Sequence, residues 1–494
     1  MRTTQTIVYQ FGRAIYRLYF HPLSKYPGPR LAAISEIFYA RMVMDGRWPW
    51  IMNELHVKYG PIVRIAPNEI SFSSVQSAKD IYGPSSKTRK LFKKNIAFYD
   101  TGDIPPATGL IIDTEAHADR RAILQPGFRI HSLRNQEFLI HEHTDTMLNN
   151  FDKWMAQSSD GSINMEQVYT WLTFDIVAHL VFGESFGATK HGQAHFWVSI
   201  LLGGLHAGII MALRHRLPII DLLIKVLPWV SSDVRAMIRN MEAHQALTLE
   251  KVRKRVSMGS VGFNDIMQSA LDDGTMTEAQ LASEMTTMLV AGAETSATAL
   301  TAATWFLATN KPALQALQHE IRSKFTSYDA ITGDATAALP YLNSVIEETL
   351  RLFPPVPIGP PRVSPGEFVD GTYVPSGVGV STHCWYVHQH PDHMARPQAF
   401  QPERWIDDEK SKTGQSKQKP FTMPFNIGPR ACLGINLAYR ELRVALAKLV
   451  YRYDFDLAEE QMFGDGKDWT LGCRMTSLWK KPPLRVKFTT ASTA

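Results

Sequence analysis

Cys432 lies in the run Phe425-Asn-Ile-Gly428-Pro-Arg430-Ala-Cys432-Leu-Gly434. A cysteine beside a glycine turn is most often a buried structural residue. Here every fixed position around it has a use if the sulfur ligates the iron of a haem. Gly428 allows the tight bend of a ligand loop, and Gly434 allows the following chain to approach a flat macrocycle closely. Arg430 can neutralise a carboxylate on that macrocycle through a charge-assisted bond. Cys432 is expected to open a helix running through Leu437 and Leu442, whose unpaired amides stabilise a thiolate. Phe425 can shield the sulfur from water and so help set the iron's potential. By average residue usage, five such fixed positions arise by chance on the order of 10⁻⁴ times per chain of this length. The ligand reading prevails.

A second set of chemical residues is Ala291-Gly292-Ala293-Glu294-Thr295-Ser296. An acid and a hydroxyl stand side by side after a glycine that weakens a helix by about 1 kcal/mol relative to alanine. A kink or a close ligand approach justifies that cost. On its own Thr295 reads as a mid-helix threonine bonded back to a carbonyl. The element that positions the set is the longest predicted helix, Thr277 to Thr309, about 50 Å at the usual rise, with Thr277 and Gln280 forming a capping signature. Met288, Ala291, Gly292 and Thr295 share one of its faces.

Around these two centres the chain reads as follows. Two short strands cover Tyr59 to Phe72, with a turn at Pro67-Asn68. A helix from near Glu115 to before Pro126 carries His117 and Arg121 four apart on one face. Trp171 to Phe182 is apolar enough for a core helix. Phe196 to Trp229 mixes apolar runs with Gly203-Gly204. Lys251, Arg253, Lys254 and Arg255 form a basic run, read as a solvated helix end. Glu348 and Arg351 lie three apart on a helix that ends at Phe353-Pro354-Pro355. His383, His388, His390 and His393 fit no helical ligand pair or standard zinc spacing.

The 494 residues, 45% of them hydrophobic, supply a large core, and no composition break, linker or repeat marks a boundary. Asp407 to Lys419 is the only unusually polar stretch. Three cysteines, Cys384, Cys432 and Cys473, cannot form a disulfide framework, which points to a reducing compartment. A net charge of +5 without any basic-aromatic run does not suggest nucleic acid. Ile7 to Phe20 is interrupted by Gln10, Arg13 and Arg17, too short and charged to span a bilayer, and lacks a signal cleavage site. Its basic, aromatic character fits an interfacial helix. The prolines of His21-Pro-Leu-Ser-Lys-Tyr-Pro27-Gly-Pro29 predict a stiff extended connector. No nucleotide-binding glycine fingerprint or P-loop appears.

The Cys432 run resembles the haem-ligand loop of the cytochrome P-450 superfamily, Phe-x-x-Gly-x-Arg-x-Cys-x-Gly, without departure. The resemblance extends from about Pro27 to the end, with motifs in the family's order. It implies one large, mainly α-helical domain with a small β-rich lobe around a buried haem, with residues 1–25 a membrane-proximal segment and 26–494 the catalytic domain. It implies haem b held by Cys432 and shielded by Phe425, with propionates on His117, Arg121, Arg362 and Arg430. The long helix would cross the distal face, with Met288, Ala291, Gly292, Val356 and Ile358 lining the substrate cavity and Phe196 to Trp229 its mobile roof. Glu348, Arg351 and Arg404, the last within Phe400-Gln-Pro-Glu-Arg404-Trp405, resemble the family's buried structural triad.

The activity implied is mono-oxygenation of a small apolar molecule with O₂, Glu294 and Thr295 relaying protons. The family more often has Asp at the acid position, and the longer Glu changes the relay's reach. Electrons would come from NADPH through a flavoprotein reductase. The connector and Tyr16-Arg-Leu-Tyr-Phe resemble fungal microsomal enzymes of specialised metabolism, notably the trichothecene hydroxylase-like group, which suggests a terpenoid or polyketide intermediate. They also suggest the cytosolic face of the endoplasmic reticulum membrane, or alternatively the cytosol. The spanning part of the anchor is expected to be missing, genuinely or through a truncated start. Two rival activities are a reductase-independent thiolate-haem isomerase or dehydratase, which would not need the Glu294-Thr295 pair, and a non-enzymatic haem sensor or carrier.

Overall fold

The computed structural model describes residues 2–86, 89–102, 104–259, 263, 265–391, 394–406, 420–458 and 468–491. His393 and the polar stretch from Asp407 to Lys419 lie outside them. The fold is mainly helical, with small sheets.

The longest helix is Glu278–Thr309. It starts at a reciprocal cap: the Gln280 amide donates to Thr277 Oγ1 at 3.2 Å, and the Thr277 amide donates to Gln280 Oε1 at 2.9 Å. It packs along Met165–Phe182, a helix buried on almost every side and therefore central to the core. Gly292 permits this contact, because a Cβ there would sit 3.2 Å from Val177 Cγ2. The missing side chain thus serves helix packing, while Gly292 itself stays half-buried beside exposed Ala291. Helices Ile130–Asn149, Pro340–Leu352 and Ile435–Arg452 complete the core around this pair.

A five-stranded sheet forms the β-rich lobe. Its order is Ile62–Ala66, Glu69–Phe72, Gly379–Thr382, Arg362–Val363 and Lys93–Lys94. The first two strands and their turn are those read from the sequence. The register places Lys94 directly opposite Arg362. Like charges in that position destabilise a sheet, so something else must require them there. A three-stranded sheet of Ser162–Asn164, Arg485–Thr490 and Tyr453–Leu457 brings the end of the chain to the start of helix Met165–Phe182. The Met165 amide donates to the Leu484 carbonyl there at 2.8 Å.

Two expectations need correcting. The connector from His21 starts as a turn, with Ser24 N–H donating to His21 O at 2.8 Å, because fully buried Leu23 anchors it to the lobe. Pro27 to Pro29 has no regular secondary structure, and Pro29 is extended. Arg255 is not solvated: its Nε donates to Asp265 at 2.8 Å and both side chains are fully buried. Lys251 and Lys254 pair with Glu184 instead, and Arg253 with Glu278.

Two helices leave apolar faces exposed. One is Arg2–Ile15 with the following turn Tyr16–Phe20, showing Ile7, Phe11, Tyr19 and Phe20. The other is Ile219–Val230, showing Leu222, Leu223, Val226 and Trp229. Among the described residues no helix is long and apolar enough to cross a membrane.

Candidate active site

The loop before helix Ile435–Arg452 turns at Gly428, whose φ of +73° and approach to Tyr82 exclude any side chain: a Cβ would lie 2.2 Å from the Tyr82 carbonyl oxygen. The loop is closed by Cys432 N–H donating to Phe425 O at 2.8 Å. Gly434 is the N-cap residue, so Cys432 precedes the helix and does not open it. Cys432 is exposed to an interior cleft, yet most of its surroundings are protein. That burial pushes the thiol up, while a bond from the Gly434 amide and the charge of Arg121 pull it down. The Phe425 ring is tilted onto Tyr439, with centroids 5.2 Å apart.

Beside the loop, cations gather that form no ion pair among the described residues, Asp113 being the carboxylate that acts on Arg430. Helix Thr114–Leu124, capped by Asp113, presents His117 and Arg121, and Arg121 donates to the Ala431 carbonyl at 2.8 Å. Arg430 donates to the carbonyls of Ile111 at 2.6 Å and of Ile112 and Asp113 at 3.0 Å. Arg362 is buried and donates to Tyr99 Oη at 3.2 Å. The sheet adds Lys94, buried and bonded to the Gly109 carbonyl at 2.5 Å. Burial, then the neighbouring cations, depress His117, Lys94 and Arg430. His117 falls to about 4, with Arg430 and Lys94 the nearest charges in effect. Lys94 falls to about 7 by burial, Arg430 and Arg362. Arg430 falls to about 10 by burial and Arg362. Such a cluster, mutually repelling and close to a cleft cysteine, fits a ligand carrying two carboxylates and a thiolate-binding metal. The haem group has both. Lys94 escaped the sequence reading because only the pairing of Lys93–Lys94 with Arg362–Val363 brings it here.

On helix Glu278–Thr309, Ala291 is exposed, with Met288, Val290, Gly292 and Thr295 half-buried around it. The next residue, Ser296, donates to Glu441 of helix Ile435–Arg452 at 2.7 Å, so the cleft wall and the cysteine helix are in direct contact. Thr295 Oγ1 donates to the Ala291 carbonyl at 2.6 Å, as Thr298, Thr301, Thr304 and Thr309 do one turn back from themselves. Its half-buried position beside Ala291 sets it apart from the buried threonines among these. Glu294 is turned away from that face. Its side chain is buried, and Oε1 pairs with Lys481 Nζ. Val356 is exposed, while Ile358 is buried in the main core.

Glu348, Arg351 and Arg404 come together as the sequence suggested. Glu348 accepts from Arg351 Nε and Nη2 at 2.8 Å, Gln401 N at 2.9 Å, Trp405 Nε1 at 2.9 Å and Arg404 Nε at 3.1 Å. The histidines serve packing: His383 bonds to Asn53 and the Pro49 carbonyl, and His388 accepts from the Met423 amide, burial depressing it to about 3.

The cytochrome P-450 family model matches residues 27–488. The chain is 36% identical to cytochrome P-450 monooxygenase BOA3 of Botryotinia fuckeliana, covering 96% of this chain and 93% of that one. It is 34% identical to monooxygenase btcC of Colletotrichum orbiculare, over 98% and 92% of the two chains. It is 32% identical to averantin hydroxylase of Dothistroma septosporum, over 97% and 89%. The chain belongs to the cytochrome P-450 family. It is an enzyme, a haem-thiolate monooxygenase that acts on O₂ and an organic substrate.

Proposed function

We propose that Cys432 would supply the thiolate that ligates the iron of haem b and that His117, Arg121, Arg362, Arg430 and Lys94 would hold its propionates. The observation that carries this assignment is the cluster of cations, unpaired by any salt bridge among the described residues, beside an accessible cysteine at the foot of a glycine-shaped loop. When bound, the iron supplies the centre where O₂ is reduced and one oxygen is transferred to the substrate. The chain's own work is to bind, orient and manage protons. Thr295, bonded to Ala291 O, keeps its lone pairs free to hold a proton-bearing water in the cleft. Glu294, the adjacent acid, resupplies that proton.

The substrate is a small apolar terpenoid or polyketide intermediate of fungal secondary metabolism, a reading supported by the relatives' names and by the connector sequence. Electrons come from NADPH through a flavoprotein reductase. The exposed faces of Arg2–Ile15, Tyr16–Phe20 and Ile219–Val230 rest on the cytosolic surface of the endoplasmic reticulum, with residues 1–25 the membrane-proximal segment and 26–494 the catalytic domain. Comparing metabolites of a deletion strain with its parent identifies the substrate. Purified protein with reductase, NADPH and isotopically labelled O₂ should then place one labelled oxygen in it. Turnover that proceeds without NADPH and reductase would instead support the isomerase reading. Recovery wholly in the soluble fraction without detergent or high salt contradicts the membrane assignment.

A further inference from the structure

Lys481 is a buried lysine that the haem site does not use. It lies in Trp479-Lys480-Lys481-Pro482-Pro483, just before the strand that pairs with Ser162–Asn164. Its ammonium is paired with Glu294 Oε1, donates to Thr298 Oγ1 at 3.1 Å and stands 3.9 Å from Glu166 Oε1. Glu166 belongs to the first turn of Met165–Phe182, and its side chain keeps 23% of its surface open to solvent. The three groups form a file running from the surface inward to the middle of the long helix.

The inner end of the file is incomplete. Glu294 Oε2 is buried and has no hydrogen-bond partner among the described residues. An unmatched carboxylate oxygen in that setting is costly if its only role is structural. The outer end has the opposite property. Burial pushes Glu166 up to about 7, Lys481 pulling it down and Glu294 pushing it further up. Near neutral pH, then, Glu166 both holds and releases a proton. Cys473, whose thiol burial pushes well above its usual range, faces the same Glu166 and Lys481, with Asp468 and Arg474 also acting on it.

We propose that Glu166 and Lys481 are the outer stations of the path that carries protons from solvent to Glu294, with Glu166 as the port. This rests on the reading of Glu294 as the acid that resupplies Thr295. In each cycle the Lys481 ammonium gives a proton to the Glu294 carboxylate, leaving a neutral amine and a neutral acid. The amine takes the proton of Glu166, and the Glu166 carboxylate is reloaded from water. One proton has moved inward and Lys481 is again an ammonium. Glu294, neutral and released from its ion pair, can turn its unmatched oxygen to the cleft side of the helix. Both Lys481 and Glu166 are positioning residues in this scheme.

The haem-loaded full chain tests the proposal in two ways. Infrared difference titration should show a protonated-carboxyl band that disappears with a midpoint near pH 7, is absent in Glu166→Gln and persists in Thr295→Ala. Product formed per NADPH consumed should fall at least roughly tenfold in Glu166→Gln, with unchanged haem content and substrate-induced spectral shift. Lys481→Arg separates relay from structure, because arginine keeps the charge and the pairing but cannot release its proton. Full haem content with low coupling is the expected result. Normal coupling in both Lys481→Arg and Glu166→Gln, with Glu294→Gln still uncoupled, overturns the port and leaves the acid reading standing. Normal coupling in Glu294→Gln removes the acid reading itself.

Discussion

Glu348 and Glu294 are both buried glutamates facing cations, and they differ in how completely they are matched. Glu348 accepts hydrogen bonds on both oxygens from Arg351, Gln401, Arg404 and Trp405. Nothing is left over to exchange, and the group can only fix geometry: it ties helix Pro340–Leu352 to the segment around Arg404. Glu294 is bound on one oxygen and open on the other. A carboxylate held in that way can change partners, which a proton carrier must do. The degree of satisfaction separates a rivet from a relay where burial and charge do not.

The sharpest contrast should come from removing one cation at each site. Arg351→Ala leaves a buried, uncompensated carboxylate, a loss of about 3–5 kcal/mol. Haem-free, poorly folded protein is expected, read from haem content and thermal melting. A well-folded variant with full haem would abolish the distinction drawn here. Glu294→Gln should do the reverse. Lys481 retains Glu166 as a neighbour, so folding and haem content stay close to the parent while product per NADPH drops steeply.

Lys94→Met probes the cation cluster with effects of opposite sign. Removing one of two charges placed face to face should raise the melting temperature of haem-free protein, because the Lys94–Arg362 repulsion disappears. Haem-loaded protein should lose its cofactor faster, measured by transfer to a haem-scavenging globin. A variant with slower haem loss would show that the cluster serves something other than an anionic ligand.

Glu441 offers a pH test. Burial raises it to about 8, the Ser296 hydroxyl pulling it down. A carboxyl raised above its unfolded value contributes stability that is complete below about pH 4.5 and is lost as pH climbs through about 8. Melting temperature across that window should decline less in Glu441→Gln than in the parent. Equal slopes would mean that Glu441 is ionised throughout. The smallest structural effect belongs to Thr295→Ala, which keeps a good helix former. Haem content and substrate affinity should hardly change, with more NADPH diverted to hydrogen peroxide. An unchanged product ratio would make Thr295 an ordinary helix threonine.

What could be read from sequence was local. The glycine bend, the cysteine loop, the Thr277 cap and the Glu348-Arg351 spacing all lie within a few residues of one another, where backbone sterics and helical periodicity act directly. What escaped depends on long-range pairing. Lys94 meets Arg362 only through the sheet, and Lys481 meets Glu166 only because the last strand pairs with Ser162–Asn164. No periodicity signals either. The packing of Gly292 against Val177 is equally invisible in the sequence, because it joins two separate helices. Arg255 looked solvated because its partner Asp265 lies beyond the end of its own helix.

The central claim is that Cys432 is the haem ligand held in this cleft. Its most direct test is the reduced carbon monoxide spectrum of the purified parent beside Cys432→His. The parent should give the red-shifted Soret band of thiolate ligation, and the variant should lose it even where haem is retained. A variant that keeps the band would place the ligand elsewhere and contradict the site as described.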